Sequence, residues 1–215
     1  MKTSTALVLC GIIAIAVAAY TLMVYSSLPD TIPTHWGADG TVNGYGSRGT
    51  IFIMPGVTLS LTLLLLALPW MSPKNFKIDT FRETYNYMMF IVTAMMGYLS
   101  FVIIYMTLHP TWDFTKPMIG GMLIFFALLG NSMGKVKRNF FMGIRTPWTL
   151  ASDQVWVATH RLGARLMTLG GAAGAVAVLL GAPVLPVFFV FLALVLYPVL
   201  YSLLLYKRLE KAGAL

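Results

Sequence analysis

Residues 131–165 read N-S-M-G-K-V-K-R-N-F-F-M-G-I-R-T-P-W-T-L-A-S-D-Q-V-W-V-A-T-H-R-L-G-A-R, and this stretch decides how the chain is organised. It gathers Lys135, Lys137, Arg138, Arg145, Arg161 and Arg165 around Trp148, Trp156 and His160, with Asp153 its single acid. Apolar runs flank it, 117–134 before and 162–182 after, each near the ~20 residues an α-helix needs to cross a bilayer. So many fixed positive charges between two such runs need water, lipid phosphate or an acidic partner. The stretch reads as a surface connector between two membrane spans.

The rest of the chain extends that reading. Of its 215 residues 58% are hydrophobic and only 10% charged, with a mean hydropathy of +0.80. A soluble domain carries about 25% charged residues, so lipid must be the solvent for most of this one. Further apolar runs at 6–27, 50–70, 85–107 and 183–206 bring the expected spans to six. The alternation of a transmembrane β-strand is absent, which predicts an all-α polytopic fold. With no internal repeat, low-complexity tract or long linker, residues 1–215 are expected to form a single membrane domain. Lys2 and the apolar run after it resemble a signal peptide, but the run is long enough to span. Tyr25-Ser26-Ser27-Leu28-Pro29 is also a poor cleavage site, so an uncleaved first span is expected.

Orientation follows from the basic residues, which give a net charge of +8. Placing both termini in the cytoplasm puts every Lys and Arg except Arg48 and Lys116 on the inner side. This N-in, C-in arrangement is the one the positive-inside rule predicts. It also assigns the basic excess to lipid and orientation rather than to nucleic acid.

Two loops then carry the specificity. The outer loop, 28–49, contains Asp39-Gly40 and Asn43-Gly44, both turn-forming dipeptides, so a compact hairpin-like cap is expected. In the inner connector, 135–161, Ser152 reads as a helix N-cap with Asp153 and Gln154 in the first turn. The helix it starts should run unbroken into the fifth span, with Trp156, His160, Gly163 and Met167 on one face. Pro147 disfavours helix at Thr146, so residues 139–149 are expected to lie as an irregular segment along the membrane surface. Composition alone would make Trp148 and Trp156 interfacial anchors. In the fifth span, Gly170 and Gly174 have the small-xxx-small spacing of a close helix contact. The lone Cys10 reads as packing.

Apart from Arg165 the spans hold no Asp, Glu, Lys, Arg or His, which argues against a proton- or ion-coupled transporter. Neither H-E-x-x-H nor G-x-S-x-G occurs, so no catalytic residue, metal or cofactor is assigned. Three readings stay open beside a binding role: a purely structural connector, a channel or uncoupled transporter, and an outer-face metal-dependent enzyme. The last would draw on His35, His109 and Asp39 or Asp113. Its plain alternative is that His35 hydrogen-bonds within its own cap.

The connector also resembles the signature of the SdpI family of bacterial membrane proteins. The matching residues are Gly130, Asn131, Asn139, Gly143, Arg145, Thr146, Pro147, Trp148, Thr149, Leu150, Trp156, Thr159, His160, Arg161 and Gly163. The outer loop is similar to a second motif of that family, L-P-x-x-I-P-x-H-W with a Gly-rich turn, at Leu28, Pro29, Ile32, Pro33, His35, Trp36 and Gly40. The resemblance implies a multi-pass protein of the bacterial cytoplasmic (inner) membrane that gives immunity to a secreted, membrane-active peptide toxin. It further implies sequestration of a small helix-turn-helix repressor at the membrane. On that division His35, Trp36, Asp39 and Asn43 would face the toxin. Asn139, Arg145, Thr146, Pro147, Trp148, Trp156, His160 and Arg161 would form the partner-binding connector.

Overall fold

The computed structural model describes residues 1–37, 40–74 and 78–215. Six long helices carry it: α1 (Thr3–Val24), α2 (Ile53–Met71), α3 (Arg82–Leu108), α4 (Thr115–Met133), α6 (Asp153–Leu179) and α7 (Val184–Lys211). Each is long and apolar enough to cross a membrane. In lipid a backbone N–H has no water to bond, so an apolar run of this length closes its hydrogen bonds within itself. The protein is an all-α polytopic membrane protein. A short helix, α5 (Pro147–Ala151), lies in the connector, and the first loop forms a two-stranded sheet, β1 (Thr31–Trp36) and β2 (Val42–Ser47).

The spans pack as two groups of three. α1 and α2 lean on α3, α4 and α7 lean on α6, and α3 against α4 joins the groups. α3 is the most enclosed of the six, while α1 and α7 leave most of their apolar surface for lipid. Glycine sets the closest approach. A Cβ on Gly171 would lie 2.6 Å from the Leu123 carbonyl oxygen of α4, so only a bare backbone fits there. Gly170 faces Leu194 of α7, and Gly174 sits between Leu123 of α4 and Val187 of α7. The small-residue face therefore packs against helices of the same chain.

The break between the last two spans forms at Gly181, whose φ of +92° ends α6. Gly181 N–H bonds the Val178 carbonyl at 3.1 Å and Ala182 N–H bonds that of Ala177 at 2.9 Å, the paired closure of a Schellman turn. Cys10 is buried in the largest apolar cluster with Ala6, Tyr85, Met88 and Met89. The end of the bundle that holds this cluster also holds Ile78, Val136 and Trp156, so the connector closes it. The hairpin sits at the opposite end, where Leu28, Ile32, Ile51 and Ile104 form a separate cluster.

Two local expectations change. Asn43-Gly44 is not a turn: both residues lie inside β2, and Gly44 pairs with His35 across an irregular register. The strands are joined instead through Gly37 N–H, which bonds the Thr41 carbonyl at 2.8 Å, and Gly40 has φ +80°. Residues 139–149 are also not irregular throughout, because α5 starts at Pro147. Pro147 does keep Thr146 extended, as its ring requires, but Thr146 is thereby placed as an N-cap.

Candidate functional site

The connector is folded by side chains that bond back onto its own backbone. Asn139, fully buried, accepts the amides of Phe141 and Met142 on Oδ1 at 2.8 and 2.7 Å. Its Nδ2 donates to the carbonyls of Lys137 and Met142 at 2.8 and 3.1 Å. One amide side chain thus stands in for hydrogen bonds that a helix would have supplied to this segment. The chain then turns at Gly143, φ +105°, where a Cβ would press on the His160 imidazole.

His160 anchors the chain just past that turn. Its Nε2 accepts the Ile144 amide at 2.9 Å, so that nitrogen carries no proton. Its Nδ1 donates to the Trp156 carbonyl at 2.8 Å, which fixes the neutral tautomer. The imidazole stacks on Trp156, ring centroids 4.0 Å apart and planes 19° from parallel. Trp156 Nε1 in turn donates to the Val136 carbonyl at 2.8 Å. Two adjacent turns of α6 therefore grip both ends of the 136–144 segment.

Thr146 and Thr149 cap α5 reciprocally. Thr149 N–H reaches Thr146 Oγ1 at 3.2 Å, and Thr146 N–H reaches Thr149 Oγ1 at 2.9 Å. Trp148 Nε1 donates to Ser202 Oγ of α7, one turn past Pro198 within that helix. Ser152 accepts the Val155 amide at 3.4 Å and starts α6 as predicted. Arg138 is half-buried, pairs with Asp153 at 2.9 Å and donates to the Leu150 carbonyl at 2.8 Å.

The candidate residues thus divide. Asn139, Trp156 and His160 are buried and give the connector its shape from inside, and Trp156 is a core residue rather than an interfacial anchor. Its indole N–H is satisfied by a carbonyl, which removes the reason to seek the headgroup zone. Thr146 and Trp148 are half-buried. Arg145, Pro147 and Arg161 are exposed; Arg145 bonds the Phe140 carbonyl while its side chain stays at the surface. Sequence reasoning missed Ser202, whose signal was a polar side chain in an apolar span one turn after a proline. Thr159, buried in the same region, is the one described residue whose buried side-chain oxygen has no partner.

At the other end, His35 Nδ1 bonds Asn43 Oδ1 across the strands, within its own cap, and both side chains are exposed. Trp36 stacks on Phe114 just before α4, centroids 4.1 Å apart and 7° from parallel. Asp39 lies outside the described residues. Among the described residues no group of three or more His, Cys, Asp or Glu is gathered as a metal set.

Both ends are matched by known families. Residues 135–202 match the SdpI/YfhL protein family, and residues 12–59 match a domain of unknown function, DUF1648. The chain is 29% identical over 151 residues to the Immunity protein SdpI of Bacillus subtilis (strain 168), covering 70% of each protein. Residues 135–202 form an SdpI-family domain. An uncharacterized protein of Archaeoglobus fulgidus is 46% identical over 56 residues, 26% of this chain and 31% of that protein. No solved structure matches. In SdpI-family terms the connector opens the matched segment, and Ser202, which receives Trp148, closes it.

Proposed function

We propose that this chain is a membrane immunity protein that protects its cell from a secreted, membrane-active peptide. The observation that supports this most is the pairing of both motifs in one chain, at opposite ends of one bundle, with likeness to an immunity protein along most of its length. The distribution of Lys and Arg turns the hairpin outward and the connector toward the cytoplasm of a bacterial inner membrane. On this reading the exposed edge of His35, Asn43 and Tyr45 meets the peptide, while Trp36 sets the hairpin's posture through Phe114. The exposed Arg145, Pro147 and Arg161 offer the surface on which a cytoplasmic helix-turn-helix repressor would dock. The chain acts here as a binding protein, not an enzyme.

The test is a peptide-challenge assay in cells expressing the chain, with membrane abundance checked by immunoblot. His35→Ala is expected to lower survival at unchanged abundance; unchanged survival removes the hairpin's role. Arg145→Ala is expected to release a repressor to the soluble fraction while protection persists. A second reading has its own support, the burial of Asn139, Trp156 and His160: the connector is a lid that completes the bundle. It requires Arg145→Ala to leave fractionation unchanged.

A further inference from the structure

A cavity of about 590 Å³ opens sideways between α3, α4 and the end of α6. Lys116 stands at its hairpin end and Leu128 at its far end. Twelve residues of α4 separate them, about 18 Å at the helical rise. That is close to half of the ~30 Å hydrocarbon core, the depth of one leaflet. The groove exists because Gly120 and Gly121 leave α4 bare on this side, with the Tyr98 ring laid against Gly121.

Its chemistry is one-sided. Lys116 is the one charged residue that lines it and forms no ion pair among the described residues. The Tyr98 hydroxyl is already used, donating to the Pro117 carbonyl at 2.7 Å. Asp113, nearby in sequence, caps the Thr115 amide at 2.8 Å. An extended peptide would bring unpaired amides and carbonyls into a trough that offers them nothing. A methylene chain has no such demand.

We propose that this groove is a phospholipid site: one acyl chain of the hairpin-side leaflet lies along α4 from Gly120 to Leu128, and its anionic headgroup sits on Lys116. The ammonium binds the phosphate as a point charge. The site is independent of the immunity reading.

The experiment uses the full chain in detergent, delipidated and offered palmitoyl-oleoyl phosphatidylglycerol or the matching phosphatidylcholine, with retained lipid counted by native mass spectrometry. One phosphatidylglycerol per chain is expected, held about fivefold better than phosphatidylcholine, as one lysine near an anionic headgroup implies. Lys116→Gln should erase the preference and leave chain binding in place. A Cβ at Gly120 meets nothing within 4 Å, so Gly120→Leu should project into the groove and expel both lipids. Should that variant fail to fold, Ile124→Trp fills the groove from its exposed edge. Wild-type protein that retains no lipid, a filled groove that retains it undiminished, or displacement of lipid by an apolar peptide or a second copy of the chain would each overturn the proposal.

Discussion

Replacing His160 by Ala should unlock the connector and leave the rest of the bundle intact. The variant strips the Ile144 amide of its acceptor inside a half-buried turn, a loss of about 1–3 kcal/mol. It also removes the stack on Trp156, about 0.5–1.5 kcal/mol more. The two together lower the local opening free energy by about 1.5–4.5 kcal/mol, since both act on the same segment. At 1.36 kcal/mol per decade, amides of residues 137–149 should exchange about 13- to 2,000-fold faster. Hydrogen exchange of the detergent-solubilised protein reads this directly. His160→Phe separates the contributions, because a phenyl ring keeps the stack and loses only the acceptor, leaving about a 5- to 150-fold effect. Unchanged exchange at 137–149, or equal loosening of α1 to α3, would refute the claim that His160 is the local latch.

The same geometry carries four further predictions. Gly143→Ala puts an L-residue at φ +105° against the His160 ring and should cost about 1–3 kcal/mol from the backbone alone, read as a lower melting temperature in detergent. Trp148→Phe and Ser202→Ala should each cost about 1 kcal/mol, and the double variant no more than either single, since both delete one bond. Thr159→Val should be neutral or stabilising by the same melt, because it removes a buried hydroxyl that has no partner; a marked loss would mean the hydroxyl is used. Because Cys10, the only cysteine, is buried, Tyr45→Cys and Lys137→Cys give clean single-site labels. An impermeant maleimide should reach the first in intact cells and the second only after lysis; the reverse pattern inverts the proposed orientation.

Much of the architecture was legible because lipid allows few solutions. Long apolar runs had to be helices, Ser152 marked the start of one, and the i, i+4, i+7 spacing put Trp156, His160 and Gly163 on one inward face. The strand register was less legible. An Asn-Gly pair has turn chemistry, yet Asn43-Gly44 lies in β2, where a Cβ on Gly44 would sit 2.9 Å from His35 Cβ. Glycine is there for closeness between strands, and closeness across a pairing is invisible along one of them.

The sequence by itself determined the six spans, their charge asymmetry and the two motifs, since hydropathy, length and residue type are local properties. Only the tertiary structure decided what those motif residues do. It buried Trp156 under Val136, set His160 on the Ile144 amide and Trp148 on Ser202, 54 residues away. It left Arg145, Pro147 and Arg161 at the surface. A tryptophan's indole N–H is satisfied equally by a lipid headgroup or a buried carbonyl, and its type cannot say which. The choice depends on which backbone groups lack partners once the connector has folded back on the bundle.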